Sequence, residues 1–306
     1  MLTDLTDTTT ADIRAALMRT RDQMGSPATG MVLILIIMTD ESGQHDAVRA
    51  AGQAGREHPC RVLAVIARES RAPSRLDAEI RSGEGTTSGQ TVLLRLYGPM
   101  SEHADSVIMP LLVPDTPVVT WWPGAAPDVP SGEPLGALAQ RRVTDAAACP
   151  EPVAALKRLA TAYRPGDTDL AWTRATSWRS LLAATLDQTE GTVLGGNVYA
   201  EAGNPTADLV AAWLTSRLRV PFGREISDGP GITGATFATD QGDVTISRPD
   251  GRTATLSREG QPDRHVALHR RDIADLLAEE LRRLNPDEVY GETLATACTV
   301  LSADWG

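Results

Sequence analysis

The sequence predicts an α/β protein in which a doubly wound, mostly parallel N-terminal sheet is followed by an α+β domain with an antiparallel meander. The first observation is the unbroken apolar run at 31–38, which is typical of a central strand covered on both faces. A helical pattern over 41–56 and a strand pattern over 61–67 follow it, with the spacing of a βαβ unit. Short strand-like runs separated by turn sequences begin after residue 222 and predict the meander.

The N-terminal elements follow from apolar spacing and from the residues that cap or end each segment. A helix begins at Thr9 or Thr10, where a hydroxyl can accept a bond from the first-turn amides, and ends at Gly25. Residues 68–90 are polar and rich in Gly, Ser and Arg, so we expect a long exposed loop there. The other predicted elements are strands at 31–38, 61–67, 91–97 and 117–122, helices at 41–56 and 101–112, and a short edge strand starting at Val143.

The C-terminal elements are predicted in the same way. Asn204 caps a helix that has Pro205 at its first position, and a helix over 272–284 ends the fold. The other predicted elements are helices at 151–163 and 176–186 and strands at 192–200, 233–239, 244–247, 253–257 and 265–268. The change of pattern divides the chain into a Rossmann-like domain at 1–150 and a second domain at 151–306.

Composition narrows the functional classes. The 306 residues include 29 basic and 40 acidic side chains, and this formal charge of −11 argues against nucleic acid as a partner, because such binding needs cations on phosphates. The N-terminus is acidic where a signal peptide would be basic, and the longest apolar run is far shorter than the ~20 residues of a membrane helix. We therefore expect a cytoplasmic protein without a membrane partner. The three cysteines are far apart in sequence and form no Cys-x-x-Cys pair.

Motifs for catalysis and cofactor binding are missing from the sequence. It contains no P-loop, no His-Glu-x-x-His motif and no Gly-x-Ser-x-Gly nucleophile elbow. Gly229-Pro-Gly231-Ile-Thr-Gly234 has the letters of the dinucleotide fingerprint, which requires a strand before it and a helix after it. This segment opens the meander instead, so we interpret it as a loop. We expect no catalytic residue and no cofactor.

Two histidines could suggest a metal site. His265 and His269 are four residues apart, which on a helix would place both imidazoles on one face. They lie where a strand approaches a helix, beside Arg264, Arg270 and Arg271. We interpret them as a solvated basic edge and expect no metal.

The segment at 165–179 is the richest in functional side chains. It holds the carboxylates of Asp167 and Asp169, the indoles of Trp172 and Trp178, and the guanidinium groups of Arg174 and Arg179. Arg offers a rigid fork for carboxylate or phosphate, and Trp offers a large face on which Arg can stack. One interpretation is a surface for an anion or a protein partner. The other is an internal Asp–Arg network with the indoles packed in the core.

Two shorter segments supply further candidate residues. His58 and Arg61 flank a Pro-Cys pair at the entrance to a predicted central strand, and Cys60 between them is interpreted as a small buried residue. Trp121 and Trp122 lie at the carboxyl end of another strand, where open α/β sheets hold their ligand crevice. We expect one of these two indoles to enter the core and the other to line that crevice.

Several segments together resemble the OpcA family, the assembly or activator proteins of glucose-6-phosphate dehydrogenase. The most specific is the Asp-x-Asp-x-x-Trp-x-Arg-x-x-x-Trp-Arg pattern that runs from Asp167 to Arg179. The resemblance covers nearly the whole chain, least clearly at 68–90. The other matching segments are 58–65, 112–123, 141–145, 207–214 and 281–290.

The resemblance implies a non-catalytic protein that binds glucose-6-phosphate dehydrogenase and promotes its active oligomer, and thereby affects NADPH supply through the oxidative pentose phosphate pathway. We expect the candidate partner residues to be those of the 165–179 segment, together with Trp121, Trp122, His58 and Arg61. The alternative hypothesis is a sensor or enzyme for a sugar phosphate that uses the Asp167–Arg179 segment, with Arg174 and Arg179 as anion ligands and Asp167 or Asp169 as acid or base.

Overall fold

The computed structural model describes residues 1–24, 32–68, 73–82 and 90–300 of the chain. Contacts within the chain define two units. Unit 1 comprises Met1–Asp145, Gly166–Thr168 and Ile273–Pro286, and unit 2 comprises Ala146–Pro165, Asp169–Asp272 and the residues from Asp287 onward. Residues 273–286 therefore belong to unit 1 although they follow most of unit 2 in sequence. The division of the chain into two separate domains near residue 150 stays a prediction.

Unit 1 is built on an eight-stranded sheet in the order β1-β4-β5-β3-β2-β6-β7-β8. The five strands β5, β3, β2, β6 and β7 run parallel, and β4 and β1 continue the sheet antiparallel. This confirms the predicted fold class, a mostly parallel α/β sheet. The strands are β1 (Leu2–Leu5), β2 (Leu33–Thr39), β3 (Cys60–Arg68), β4 (Arg75–Ser82), β5 (Gln90–Tyr97), β6 (Val118–Trp121), β7 (Arg141–Thr144) and β8 (Asp167–Asp169).

Helices accompany this sheet, and its central strands are buried as their apolar sequences require. Residues 33–37 of β2 and 62–66 of β3 are all at most 1% exposed, as expected for strands covered on both faces. The helix α9 packs against α2. The helices of unit 1 are α1 (Thr10–Met24), α2 (Gln44–Ala54), α3 (Ala104–Ile108), α4 (Pro134–Ala137) and α9 (Ile273–Arg282).

Three predictions for unit 1 are wrong. The expected loop at 68–90 contains β4, in which Leu76, Ala78 and Ile80 point inward between polar residues, and charge concealed this alternation; residues 69–72 and 83–89 lie outside the described residues. The expected helix at 101–112 is only the short α3 between two 3₁₀ turns, one of which has Pro110 near its start. The strand at Val143 is not an edge strand, because β8 follows β7 in the sheet.

Unit 2 contains a six-stranded sheet in the order β10-β9-β11-β12-β13-β14. The strands β9, β11, β12, β13 and β14 are antiparallel neighbours in that order, which confirms the meander. The strand β10 pairs with β9 in parallel at the edge of the sheet and is not predicted from the sequence. The strands are β9 (Val193–Ala200), β10 (Phe222–Ile226), β11 (Ile232–Thr239), β12 (Val244–Ser247), β13 (Thr253–Arg258) and β14 (Arg264–Ala267).

The helices of unit 2 cover one face of this sheet. Val198, Ala235, Phe237 and Ile246 on that face form one buried cluster with Val210 and other residues of the helices. The prediction that the helix at 272–284 ends the fold is wrong, because Asp287 starts another helix after Asn285-Pro286. The helices of unit 2 are α5 (Pro152–Ala162), α6 (Leu170–Arg174), α7 (Thr176–Leu186), α8 (Pro205–Leu218) and α10 (Glu288–Val300).

The cap of α8 has the predicted chemistry. The side chain of Asn204 accepts a hydrogen bond from the amide of Ala207, and Pro205 occupies the first helical position. No helix in the described ranges combines the length and the apolar composition needed to cross a bilayer.

Candidate functional site

Asp167 takes part in a buried ion-pair network of unit 1. Its carboxylate accepts a hydrogen bond from Nε of Arg142, whose Nη1 donates to the carbonyl of Ala139 at 2.8 Å. Gly166 precedes it with φ of +98°, and a Cβ there would lie 2.6 Å from the carbonyl oxygen of Gln140. Glycine therefore permits the close approach that places Asp167 beside Arg142. Asp167 is 8% exposed, so this carboxylate is structural.

Asp169 holds two backbone segments of unit 2 together. Oδ1 accepts from the amide of Ala171 at 2.8 Å and so caps α6, and Oδ2 accepts from the amide of Ala146 at 2.9 Å. The residue is fully buried. An acid or base must reach its substrate, so neither Asp167 nor Asp169 has the accessibility that the alternative hypothesis requires.

Trp172 is enclosed by its neighbours in unit 2. The guanidinium carbon of Arg179 lies 3.6 Å from the centre of one face of the indole, and the ring of Tyr290 lies 5.6 Å away. The indole Nε1 donates to Oδ2 of Asp287 at 2.8 Å. The interpretation of the segment as an internal network therefore fits Asp167, Asp169 and Trp172, and the interpretation as an exposed surface does not.

Arg174 and Trp178 line a cavity of about 80 Å³ in unit 2, which we call the arginine cavity. Three further guanidinium groups line it, those of Arg248, Arg270 and Arg271. Arg248 comes from the residue after β12, and Arg270 and Arg271 come from the segment after β14. The arginine cavity thus collects cations that are far apart in sequence, and four guanidinium forks around one small space are suited to an anion.

Arg248 has the most unusual environment in the arginine cavity. It is 4% exposed, and its Nη1 and Nη2 donate to the carbonyl oxygens of Leu268 at 3.0 Å and Ile232 at 2.6 Å. Its guanidinium carbon lies 4.9 Å from the centre of the Trp178 ring. Burial lowers the pKa of Arg248, the charge of Arg270 lowers it further, and Asp250 partly offsets both.

Two helix N-termini also contribute to the arginine cavity. Ser177 lies in the first turn of α7, and Asn204 and Thr206 lie at the start of α8. Helix N-termini carry partial positive charge, so both ends add to the potential of the arginines. The sequence predicts Arg174 and Trp178 as part of an anion or partner surface, and the pair Arg270-Arg271 as a basic edge. Arg248 was missed, because a single Arg after a strand gives no local pattern.

The other predicted residues lie in unit 1 and are not part of this cavity. Trp121 and Trp122 are 1% and 3% exposed, so the expectation that one of them lines an open crevice is wrong. Trp122 packs on Gly136, where a Cβ would be 3.2 Å from the ring. Arg61 is half-buried and donates to the carbonyl of Leu111 and the side chain of Gln90, and His58 is half-buried two residues before β3.

The two remaining sequence features have simple placements. Gly229 and Gly231 lie in the turn before β11, and the segment continues as a strand, where a dinucleotide fingerprint would continue as a helix. His269 is exposed at the rim of the arginine cavity, and His265 on β14 contacts Thr255 at 3.0 Å. Among the described residues, no group of three or more His, Cys, Asp or Glu side chains could hold a metal ion.

Two family models match consecutive parts of the chain. Residues 51–161 match the model described as the glucose-6-phosphate dehydrogenase subunit N-terminal domain, and residues 165–294 match the model described as the C-terminal domain of the same subunit. None of the curated proteins matches the sequence at a significant level.

Solved structures of oxidoreductases align with most of this chain at low sequence identity. A 3-ketoreductase from Actinomadura kijaniata, KijD10 with NADP and TDP-benzene, aligns with a TM-score of 0.50 at 11% identity, covering 88% of this chain and 95% of its own. An NAD binding oxidoreductase from Klebsiella pneumoniae aligns with a TM-score of 0.49 at 8% identity, covering 89% and 96%. At such identities the similarity concerns the fold alone.

Proposed function

Because the chain belongs to the OpcA family of glucose-6-phosphate dehydrogenase subunits, we propose that it is a non-catalytic assembly factor that binds this dehydrogenase in the cytoplasm and promotes its active oligomer. The observation that carries the proposal is the match of two domain models of the same subunit, in order, to residues 51–161 and 165–294. The protein would thereby act on the oxidative pentose phosphate pathway through its partner.

An assembly factor works by differential affinity. It shifts the dehydrogenase between oligomeric states only if it binds the active state more tightly, and a hundredfold shift corresponds to about 2.7 kcal/mol. A few well-packed aromatic and arginine contacts can supply that energy. Since Trp172 and Trp178 are buried, other residues must form the surface that contacts the dehydrogenase.

We place the contact on the open face of the second sheet, defined by Asn197, Tyr199, Thr236, Thr245 and Ser257. These residues are half-exposed, and they lie opposite the buried face because side chains alternate along each strand. The face is polar, and at its β10 edge Glu225 lies opposite Tyr199 and accepts a hydrogen bond from Asn197.

Tyr199 is the best anchor on this face. It lies beside Gly234 on β11, which has no side chain to pack on the ring, and it borders a shallow depression of about 320 Å³. Tyr is enriched among the residues that dominate interface energies, because it buries a large rigid surface and keeps a polar end.

The proposal is tested by mixing the purified chain with the dehydrogenase from the same organism. We expect the two to co-elute in size-exclusion chromatography, the mass of the dehydrogenase oligomer to change, and its specific activity to rise. The chain alone should turn over neither glucose 6-phosphate nor 6-phosphogluconate with NADP. The proposal is wrong if the two proteins elute separately and the activity of the dehydrogenase stays constant over a saturating range of the chain.

A further inference from the structure

The arginine cavity concentrates positive charge in a chain whose formal charge is −11. Four arginines line it, and its lining residues within the described ranges include no Asp or Glu. Like charges held close together repel each other, and a bound anion would remove that repulsion. We infer that the arginine cavity binds the phosphate group of a small phosphorylated molecule.

The charge of Arg248 is buried, so solvation at the protein surface does not stabilise it. Buried charges are normally paired with an opposite charge. Arg248 is 96% buried, yet the described residues place no carboxylate within ion-pair distance of it and satisfy two of its nitrogens with neutral carbonyls. Its buried Nε has no hydrogen-bond partner among those residues. Asp250 offsets part of the charge of Arg248 from a distance, and an anion in the cavity would supply a counter-charge in direct contact.

The other lining residues supply donors suited to a phosphate group. Arg174 and Arg271 each offer five N–H groups, so they can keep their existing partners and still donate to a ligand. The hydroxyls of Ser177 and Thr206 make no hydrogen bond within the described part of the chain, and they lie at the positive ends of α7 and α8. A phosphate monoester carries close to two negative charges and three strong acceptor oxygens, more than a carboxylate offers.

The size of the cavity limits the ligand. About 80 Å³ is several times the roughly 15 Å³ that one water needs on the same measure. A phosphate group fits that space, with the rest of a sugar phosphate extending toward exposed His269 and Arg270 at the rim. The shared chemistry is the phosphate group itself, free or esterified.

Calorimetry on the isolated full-length chain tests this inference without the dehydrogenase. We expect inorganic phosphate to bind at a single saturable site and to compete with glucose 6-phosphate for it. Tighter binding of glucose 6-phosphate would identify an ester as the ligand, and equal affinities would identify free phosphate. Arg174→Ala and Arg270→Ala should each weaken binding about tenfold or more, since each removes a charge-assisted contact.

Arg252→Ala is the matched control. Arg252 is exposed in the turn before β13, does not line the cavity, and its replacement changes the net charge equally. Its affinity for phosphate should equal that of the wild type. The inference is overturned if millimolar phosphate gives no saturable binding, or if Arg252→Ala weakens binding as much as Arg270→Ala. Circular dichroism of each variant checks that the fold is retained.

Discussion

Asp287 accepts a hydrogen bond from the indole of Trp172 with one carboxylate oxygen and from the amide of Tyr290 with the other. The two bonds, 2.8 and 3.0 Å long, tie α6 to the first turn of α10 within unit 2. The most distinctive tryptophan of the 165–179 segment is therefore held by a residue from the far end of the chain.

Asp287→Ala should destabilise the protein by about 2 kcal/mol, because it removes a helix cap and leaves a buried indole N–H without an acceptor. Chemical denaturation followed by tryptophan fluorescence measures the change in the free energy of unfolding. Glu288→Ala is the control, since Glu288 is exposed in the same turn and should cost less than about 0.5 kcal/mol. Equal losses in the two variants would contradict a specific role for Asp287.

Tyr199→Arg should weaken binding to the dehydrogenase at least about thirtyfold, because it replaces a rigid aromatic anchor with a charge in the contacting face. Titration of the dehydrogenase activity with each variant measures the apparent affinity. Met109→Arg, an equal charge change at a residue 54% exposed in unit 1, should bind like the wild type. If Tyr199→Arg binds normally, the contact does not lie on the open face of the second sheet.

Cys60 should be inert in the native protein and Cys298 reactive. Burial raises the pKa of Cys60 to about 12, so only about one thiol in ten thousand is ionised at pH 8, and its side chain is 2% exposed. Cys298 is exposed on α10. Mass spectrometry after brief iodoacetamide treatment should find Cys298 alkylated and Cys60 unmodified, with both modified in denaturant. Native alkylation of Cys60 at a comparable rate would show that β3 opens readily.

Asp208 should make stability depend on pH below neutrality. Burial raises its pKa to about 6, against 3.8 for the unperturbed group, although the charge of Arg224, 3.0 Å away, partly opposes the shift. Between about pH 4 and 6 the folded chain keeps a proton that the unfolded chain releases. The proton on Asp208 contributes about 3 kcal/mol to the free energy of unfolding. This contribution is fully present below pH 4 and is lost as the pH rises through 6.

The variant Asp208→Asn isolates that contribution, because its side chain has a similar shape and does not titrate in this range. The free energy of unfolding of the wild type, measured relative to this variant, should fall as the pH rises from 4 to 6 and then stay level. A difference that is constant with pH would mean that Asp208 keeps an ordinary pKa in the folded protein.

The central strands β2 and β3 were predictable from sequence, because an unbroken apolar run is favourable only in a strand that is covered on both faces. Strand β4 was missed because Asp77, Glu79 and the neighbouring arginines made the segment look like a loop, although Leu76, Ala78 and Ile80 alternate with them. Helix α10 was missed because Asn285-Pro286 is a strong stop signal, and the Asp287 that starts the next helix gives the same local pattern as a turn.

The candidate site was predictable only in part. The anion interpretation of the 165–179 segment applies to Arg174 and Trp178, which lie in the arginine cavity, whereas Asp167, Asp169 and Trp172 are used to build the core. Local sequence carries no information on that division, since it depends on tertiary partners such as Asp287 and Tyr290. Arg248 could be recognised only once the sheet had brought its strand beside α7.

The return of residues 273–286 to unit 1 has a consequence for synthesis on the ribosome. Within that unit α9 packs on α2, and Glu280 pairs with Arg141, whose guanidinium is almost entirely buried. The sheet formed by the first 145 residues therefore lacks α9, and Arg141 lacks its carboxylate partner, until the ribosome has made more than a hundred further residues. A premature stop before α9 would release a chain that lacks α9 and the Glu280 carboxylate. Chaperones and proteases recognise such incompletely folded chains.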